Sequence, residues 1–283
     1  MKIGMNLLLW TDTMDERGLS LCAQLKEMGF DAVELPGYGH DYSNYERWGN
    51  ELERLGLIRT AAVVRGEADN PASLDPEIRR RGVESNKRSV ECLAAAGCRA
   101  MVGPFHSAIG YFSGQPASQD EWNAAVDSMR EVAEFAEQFD MDLCLEAINR
   151  FECYLINCAA QLRDFIEAVD HPRCKALYDT FHAHIEEKSV SNAIQSLEGK
   201  IGLVHISEND RSTPGKGQVR WEETFRSLNA VGYDGLFVIE AFGSALPNLV
   251  AATKIWRKMY DEELELAAQG LDFIRKCGAT FCA

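Results

Sequence analysis

The chain has 283 residues, 46% of them hydrophobic and 26% charged, a balance that excludes disorder, collagen and an extended coiled coil and suits one large domain. Its 29 Lys and Arg stand against 44 Asp and Glu, and the resulting charge of −15 argues against phosphate backbones and anionic membranes as partners. Nine cysteines with no C-x-x-C pair predict reduced thiols and a cytoplasmic location; no stretch nears 18 apolar residues, and the opening KIGMNLLLW is too short for a signal segment.

Short apolar runs alternate with segments of helical period along the whole sequence. In order, the pattern predicts a strand over residues 2–10, a helix over 18–28, a strand over 32–36 (AVELP), and a helix over 45–55. Next come a strand over 58–65, a helix over 76–96, a strand over 100–106, and a helix over 119–139. The second half continues with strands over 142–149, 175–182, 202–209 and 235–243, separated by helices over 159–169, 190–197 and 221–231. The tail, 246–276, reads as a last helix with an added one. The strand runs are almost continuously apolar, as strands buried on both faces of a parallel sheet must be. Gly29, Gly56, Gly97 and Gly232 each follow a predicted helix and precede the next strand, the place where a left-handed residue ends a helix. Eight βα units in this length predict an α/β fold, a (β/α)8 TIM barrel, as a single domain over 1–283. A doubly wound sheet would carry a glycine-rich turn after its first strand, and LLLWTDT has none.

In such a barrel the chemistry lies where strands end at the C-terminal face. Strand five ends LCLE at Glu146, strand six ALYD at Asp179, strand seven GLVH at His205 and strand eight FVIE at Glu240. One such residue is most simply a strand passing from core to water. Four in succession predict a site. Three carboxylates meeting at one barrel mouth repel each other and lose hydration, and a divalent cation removes both penalties. Three oxygens and one imidazole suit Mn²⁺, Mg²⁺ or Co²⁺ better than a structural Zn²⁺. Taken singly, Glu152 and Arg211 read as loop charges, and His182, His184, His106 and His40 as structural or peripheral, His106 having the best reach toward the pocket. PGKG (214–217) lacks the spacing of a phosphate loop and reads as a turn before the seventh helix.

The phrases LEAINRFE (145–152), YDTFHAHIEE (178–187), VHISENDR (204–211), PGKGQVRWEETF (214–225) and IEAFG (239–243) resemble the sugar isomerase/epimerase TIM-barrel superfamily. Within it they are most similar to the D-tagatose/D-psicose (allulose) 3-epimerases. The likeness implies a metal held by Glu146, Asp179, His205 and Glu240, with Glu146 and Glu240 doubling as the catalytic acid/base pair. It implies substrate contacts from Glu152, His182 and Arg211 and an aromatic wall at Phe242. It also implies Mn²⁺, a free ketose as substrate, and a homo-oligomer, dimer or tetramer. Epimerisation at C3 through a cis-enediolate requires a base on one face of the carbon and an acid on the other, the arrangement two opposed glutamates provide. An aldose–ketose isomerase of the hydroxypyruvate isomerase kind, or an inosose-type dehydratase, is the alternative on the same scaffold. A multi-zinc endonuclease would need more histidines and a basic face. The chain departs from several relatives at Asn6-Leu7-Leu8, where aromatic residues occur, and at Ala241, where proline occurs; these positions are expected at the pocket end that measures sugar length.

Overall fold

The computed structural model describes residues 1–282. The first strand, β1 (Lys2–Asn6), runs into a 3₁₀ turn at Leu7–Leu9 and then α1 (Glu16–Met28). β2 (Ala32–Pro36), α2 (Tyr42–Leu55), β3 (Ile58–Ala62), α3 (Pro76–Ala95), β4 (Ala100–Gly103) and α4 (Gln119–Glu137) complete the first half. The second half contains β5 (Asp142–Glu146), α5 (Ala159–Val169), β6 (Cys174–Asp179), α6 (Thr180–Glu186), α7 (Val190–Ser196), β7 (Ile201–Ile206), α8 (Trp221–Ala230) and β8 (Leu236–Ile239). α9 (Pro247–Thr253) and α10 (Glu263–Phe281) follow. The eight strands pair in sequence order, all parallel, and β8 returns to β1 to close the barrel. The predicted TIM barrel with an added C-terminal helix is the observed fold.

Helix ends follow the sequence signals. Gly29, Gly56, Gly97 and Gly232 all have positive φ, between 64° and 98°, a region open to glycine without a Cβ clash. Asp15, Asp41, Asp75 and Ser118 cap α1 to α4 by accepting backbone N–H bonds. Close packing at Gly49 locks α2 onto α3, since a Cβ there would stand 2.6 Å from the Ala95 carbonyl.

Strand alternation sorts the side chains into two cores. Outward residues such as Met5, Val33, Met101, Leu143, Leu145, Val204 and Ile239 pack beneath the helices. Inward residues Ala62, Val102, Cys144, Leu177, Leu203 and Val238 fill the barrel. Two positions beyond the inner layer, on the same inward parity, stand Glu146, Asp179, His205 and Glu240. The register sets Asp179 beside His205, whereas Glu146 pairs with Leu177 and His205 with Val238, so the four climb in steps around the mouth.

Most strands are shorter than their apolar runs. β1 ends at Asn6 rather than Trp10, β3 at Ala62, β4 at Gly103, and β6 at Asp179 rather than His182. The cause is burial without a ladder. Leu7, Leu8 and Leu9 are buried in the 3₁₀ turn, and Thr180 and His182 in α6, because the segments leaving the strands pack at the barrel mouth. α6 is an element absent from the sequence reading, so the PGKG turn precedes the eighth helix rather than the seventh.

Candidate active site

Glu146, Asp179, His205 and Glu240 are all buried, and each offers one ligand atom such that the four atoms lie within 4.8 Å of one another. His205 Nδ1 stands 3.4 Å from Glu240 Oε1 and 3.6 Å from Asp179 Oδ2, too far for a good hydrogen bond. His205 Nδ1 and Glu146 Oε1 have no hydrogen-bond partner among the described residues. Buried polar atoms without partners are rare and costly. Two of them, aimed into a cluster of oxygens, fit a divalent cation, and the oxygen-rich donor set fits a hard one.

The electrostatics say the same. Burial, reinforced by the Glu240 and Asp179 carboxylates, pushes the Glu146 pKa well above the usual carboxylate range. Burial raises Glu240 to about 7, with His205 and Arg211 opposing it and Asp179 adding to it. Asp179 goes the other way: burial is outweighed by Arg211 and His205, which hold its carboxyl well below the usual range. Without a cation, Glu146 and Glu240 thus favour the protonated form, while Asp179 stays ionised.

Local folding explains the DTFH and NRFE spacings. Asp179 Oδ1 accepts the Phe181 and His182 amides at 2.6 and 3.2 Å, capping α6 and leaving Oδ2 toward the cluster. The turn so started brings His182 back over the site, its Nε2 3.5 Å from Glu146 Oε1. The Asn149 amide donates to His182 Nδ1 at 3.0 Å and Arg211 Nη2 stands 2.9 Å from its Nε2, so donors grip the ring on both sides. Burial, with the Arg211 charge adding to it, lowers His182 to about 3 and keeps it neutral. Asn149 Nδ2 donates to Glu152 Oε1 at 2.7 Å, so Glu152 is half-buried and tethered at the rim.

Arg211 has φ +63°, a conformation uncommon for a side chain of this size. Its Nη1 donates to Asp179 Oδ2 at 3.1 Å and to Ser207 Oγ at 3.0 Å, and also contacts Glu240 Oε2. The guanidinium lies over Phe181 at 3.8 Å and Phe242 at 5.0 Å from the ring centroids. Phe242 is therefore part of the site wall, and Phe181 is a second aromatic the sequence reading did not single out. The loop carrying Arg211 is anchored by Glu208, whose fully buried carboxylate accepts from the Asn209, Gly215 and Val219 amides and from Trp221 Nε1, all at 2.9–3.0 Å.

Among the positions expected to measure sugar length, only Leu8 joins the apolar group around Phe242. Asn6 is buried and turned to Glu34, to which its Nδ2 donates at 2.8 Å. Leu7 and Ala241 face the outer core, since neighbouring residues point to opposite sides of the wall. His106 is buried with Nε2 against the Glu146 backbone carbonyl at 2.9 Å, and so braces strand five. His40 and His184 are exposed.

Sequence reasoning missed Glu34. It is fully buried on β2 with inward parity and reaches His205 Nε2 at 2.9 Å. An acid in the middle of the apolar run AVELP was the available signal.

Residues 22–277 match the family model described as xylose isomerase-like TIM barrel. The chain belongs to that family. It is 31% identical over 278 residues to the ketose 3-epimerase of Arthrobacter globiformis, covering 97% of this chain and 96% of the relative. It superposes on a structure of L-ribulose 3-epimerase with a TM-score of 0.92 at 30% identity, covering 99% of this chain and 95% of that one. A structure of D-psicose 3-epimerase with D-tagatose from Clostridium cellulolyticum H10 gives 0.90 at 30% identity, covering 98% and 99%. These relatives are carbohydrate epimerases, a class of isomerase.

Proposed function

We propose that the protein is a divalent-metal-dependent ketose 3-epimerase acting on free sugars, with Glu146 and Glu240 as its acid/base pair. The observation that carries the proposal is the convergence of Glu146, Asp179, His205 and Glu240 at the barrel mouth, in a chain similar over its full length to ketose 3-epimerases. These four residues would hold the metal; the oxygen-rich set suits Mn²⁺, Mg²⁺ or Co²⁺, and the likeness to 3-epimerases favours Mn²⁺ among them. When bound, the ion supplies charge neutralisation for the carboxylates and polarisation of the sugar's C2 carbonyl.

The protein's own groups do the rest. Glu146 enters from β5 and Glu240 from the end of β8, separated by the two strands carrying Asp179 and His205. A ketose bound between them presents one face of C3 to each glutamate. One carboxylate removes the C3 proton to give a cis-enediolate, and the other, protonated, returns a proton to the opposite face. Reversing the direction exchanges the roles of the two carboxylates. Arg211, braced by His182, donates to sugar oxygens, Glu152 accepts a hydroxyl at the rim, and Phe242 shields the reacting carbon from water.

The test is isotope exchange. Incubation with Mn²⁺ in D₂O and D-tagatose, D-fructose or L-ribulose is expected to place deuterium at C3 and yield the C3 epimer. Deuterium at C2 of an aldose product, with exchange at C1 of the recovered ketose, would replace the proposal by an aldose–ketose isomerase, and loss of water by a dehydratase. A homo-oligomer, dimer or tetramer, belongs to the same proposal. Phe151 and Trp256, 69% and 71% exposed on segments following β5 and β8, offer apolar surface for it. Light scattering after gel filtration reads the assembly directly. A cytoplasmic location is supported by nine free cysteines.

A further inference from the structure

We propose that Glu34 is a positioning residue for the metal centre: its carboxylate fixes the ring orientation and tautomer of His205, so that Nδ1 is the nitrogen presented to the ion. The inference rests on the reading of the four-residue cluster as a metal site and adds a fifth residue that does not touch the ion.

Glu34 and His205 are 0% and 1% exposed, on opposite sides of the barrel, on β2 and β7. His205 Nε2–H donates to Glu34 Oε1 at 2.9 Å. The same oxygen accepts from Asn6 Nδ2 at 2.8 Å, and Oε2 accepts from Thr60 Oγ1 at 2.8 Å. Asn6 cannot flip, because its Oδ1 accepts the Leu8 amide at 2.8 Å. The carboxylate is thus clamped from β1 and β3 and has one remaining task, toward His205. With Nε2 engaged, the ring's other nitrogen is committed: Nδ1 faces Glu240 and Asp179 and has no hydrogen-bond partner. A buried carboxylate gripping the distal nitrogen of a histidine ligand sets the ring's direction and raises its basicity toward a metal. No other described acid contacts the His205 Nε2 edge.

The experiment compares Mn²⁺ binding by chelator-stripped wild type, Glu34→Gln, Thr60→Val and His205→Asn, following free Mn²⁺ by electron paramagnetic resonance. Glu34→Gln keeps the shape and removes the charge, and is expected to raise the Mn²⁺ Kd roughly 10–100-fold. Thr60→Val removes a buried hydrogen bond from the same carboxylate but leaves the His205 contact, so its Kd should stay within about threefold of wild type. A Glu34→Gln Kd within threefold of wild type, or an equal rise in Thr60→Val, overturns the inference. Wild type loaded with ¹¹³Cd²⁺ and ¹⁵N-histidine provides a readout that needs no folded Glu34 variant. Cadmium coupling should appear at His205 Nδ1, assigned by its loss in His205→Asn, with the proton on Nε2; coupling at Nε2 overturns the inference. Should wild type bind no Mn²⁺, the metal site itself fails, an outcome distinct from a site that binds normally without Glu34.

Discussion

Replacing Glu208 by Gln tests whether one buried carboxylate holds the loop that carries Arg211. Its two oxygens accept four hydrogen bonds, Oε1 from the Asn209 and Val219 amides and Oε2 from the Gly215 amide and Trp221 Nε1. A carboxamide fits the space, but whichever way it turns, its NH₂ faces two N–H donors and leaves both unpaired. A buried donor without a partner costs about 1–3 kcal/mol, so two predict a loss of about 2–6 kcal/mol. With an unfolding entropy of about 2.1 cal/mol/K per residue, this corresponds to a Tm lowered by about 3–10 °C. Thermal unfolding followed by circular dichroism, with chelator present to remove metal effects, measures it. Trp221 fluorescence reports the loop separately, because its indole N–H loses its acceptor in one of the two amide orientations. A Tm within 1 °C of wild type would refute the account of Glu208 as the loop's anchor.

Glu146→Gln and Glu240→Gln are each expected to lower the rate of C3 deuterium exchange by at least about 100-fold while leaving the far-ultraviolet circular dichroism unchanged; a fully active Glu240→Gln protein contradicts the acid/base pair. Addition of Mn²⁺ at 100 times its Kd should stabilise the stripped protein by about 2.7 kcal/mol, raising Tm by about 4–5 °C, and no shift in calorimetry would count against a resident metal. His106, lowered by burial to about 4, stays neutral in the fold while the unfolded chain protonates near 6.5. Its contribution is therefore whole above pH 6.5 and is lost as pH falls toward 4, in total about 3 kcal/mol at 1.36 kcal/mol per pH unit. Denaturant titrations of wild type and His106→Gln between pH 7 and 4 should show the smaller loss in the variant. Gly49→Ala should destabilise the protein by about 1–3 kcal/mol, because its Cβ would meet the Ala95 carbonyl at 2.6 Å; unchanged denaturant midpoints would show that α2 and α3 part freely.

The barrel and its four central side chains were legible because both depend on local text. Apolar runs bounded by helix–glycine phrases specify βα units, and LCLE, ALYD, GLVH and FVIE each set an ionisable residue at a run's end. Strand ends were less legible, since hydrophobicity reports burial and not ladder pairing. Leu7–Leu9 and Thr180–His182 are buried after their strands have ended. Glu34 escaped notice because its partners are distant in sequence: Asn6 and Thr60 are 28 and 26 residues away and His205 is 171. Parity would have found it, for Glu34 sits two places after inward Ala32 as Glu146 sits two after Cys144. Phe181 and Asn149 became meaningful only once Asp179 was seen to start a helix there.

The four central groups stand on four adjoining staves, β5 to β8, and across the lumen β1 to β3 contribute the Asn6–Glu34–Thr60 brace. Demands on the upper loops of the two halves consequently differ. Those after β5 to β8 carry Glu152, His182, Arg211 and Phe242 of the proposed site, whereas those after β1 and β4 touch it only as supports, through the Leu8 amide on Asn6 and His106 on the Glu146 carbonyl. For the proposed epimerase, directed evolution toward new sugars would do best to randomise the segments after β2 and β3 and leave the trailing loops alone.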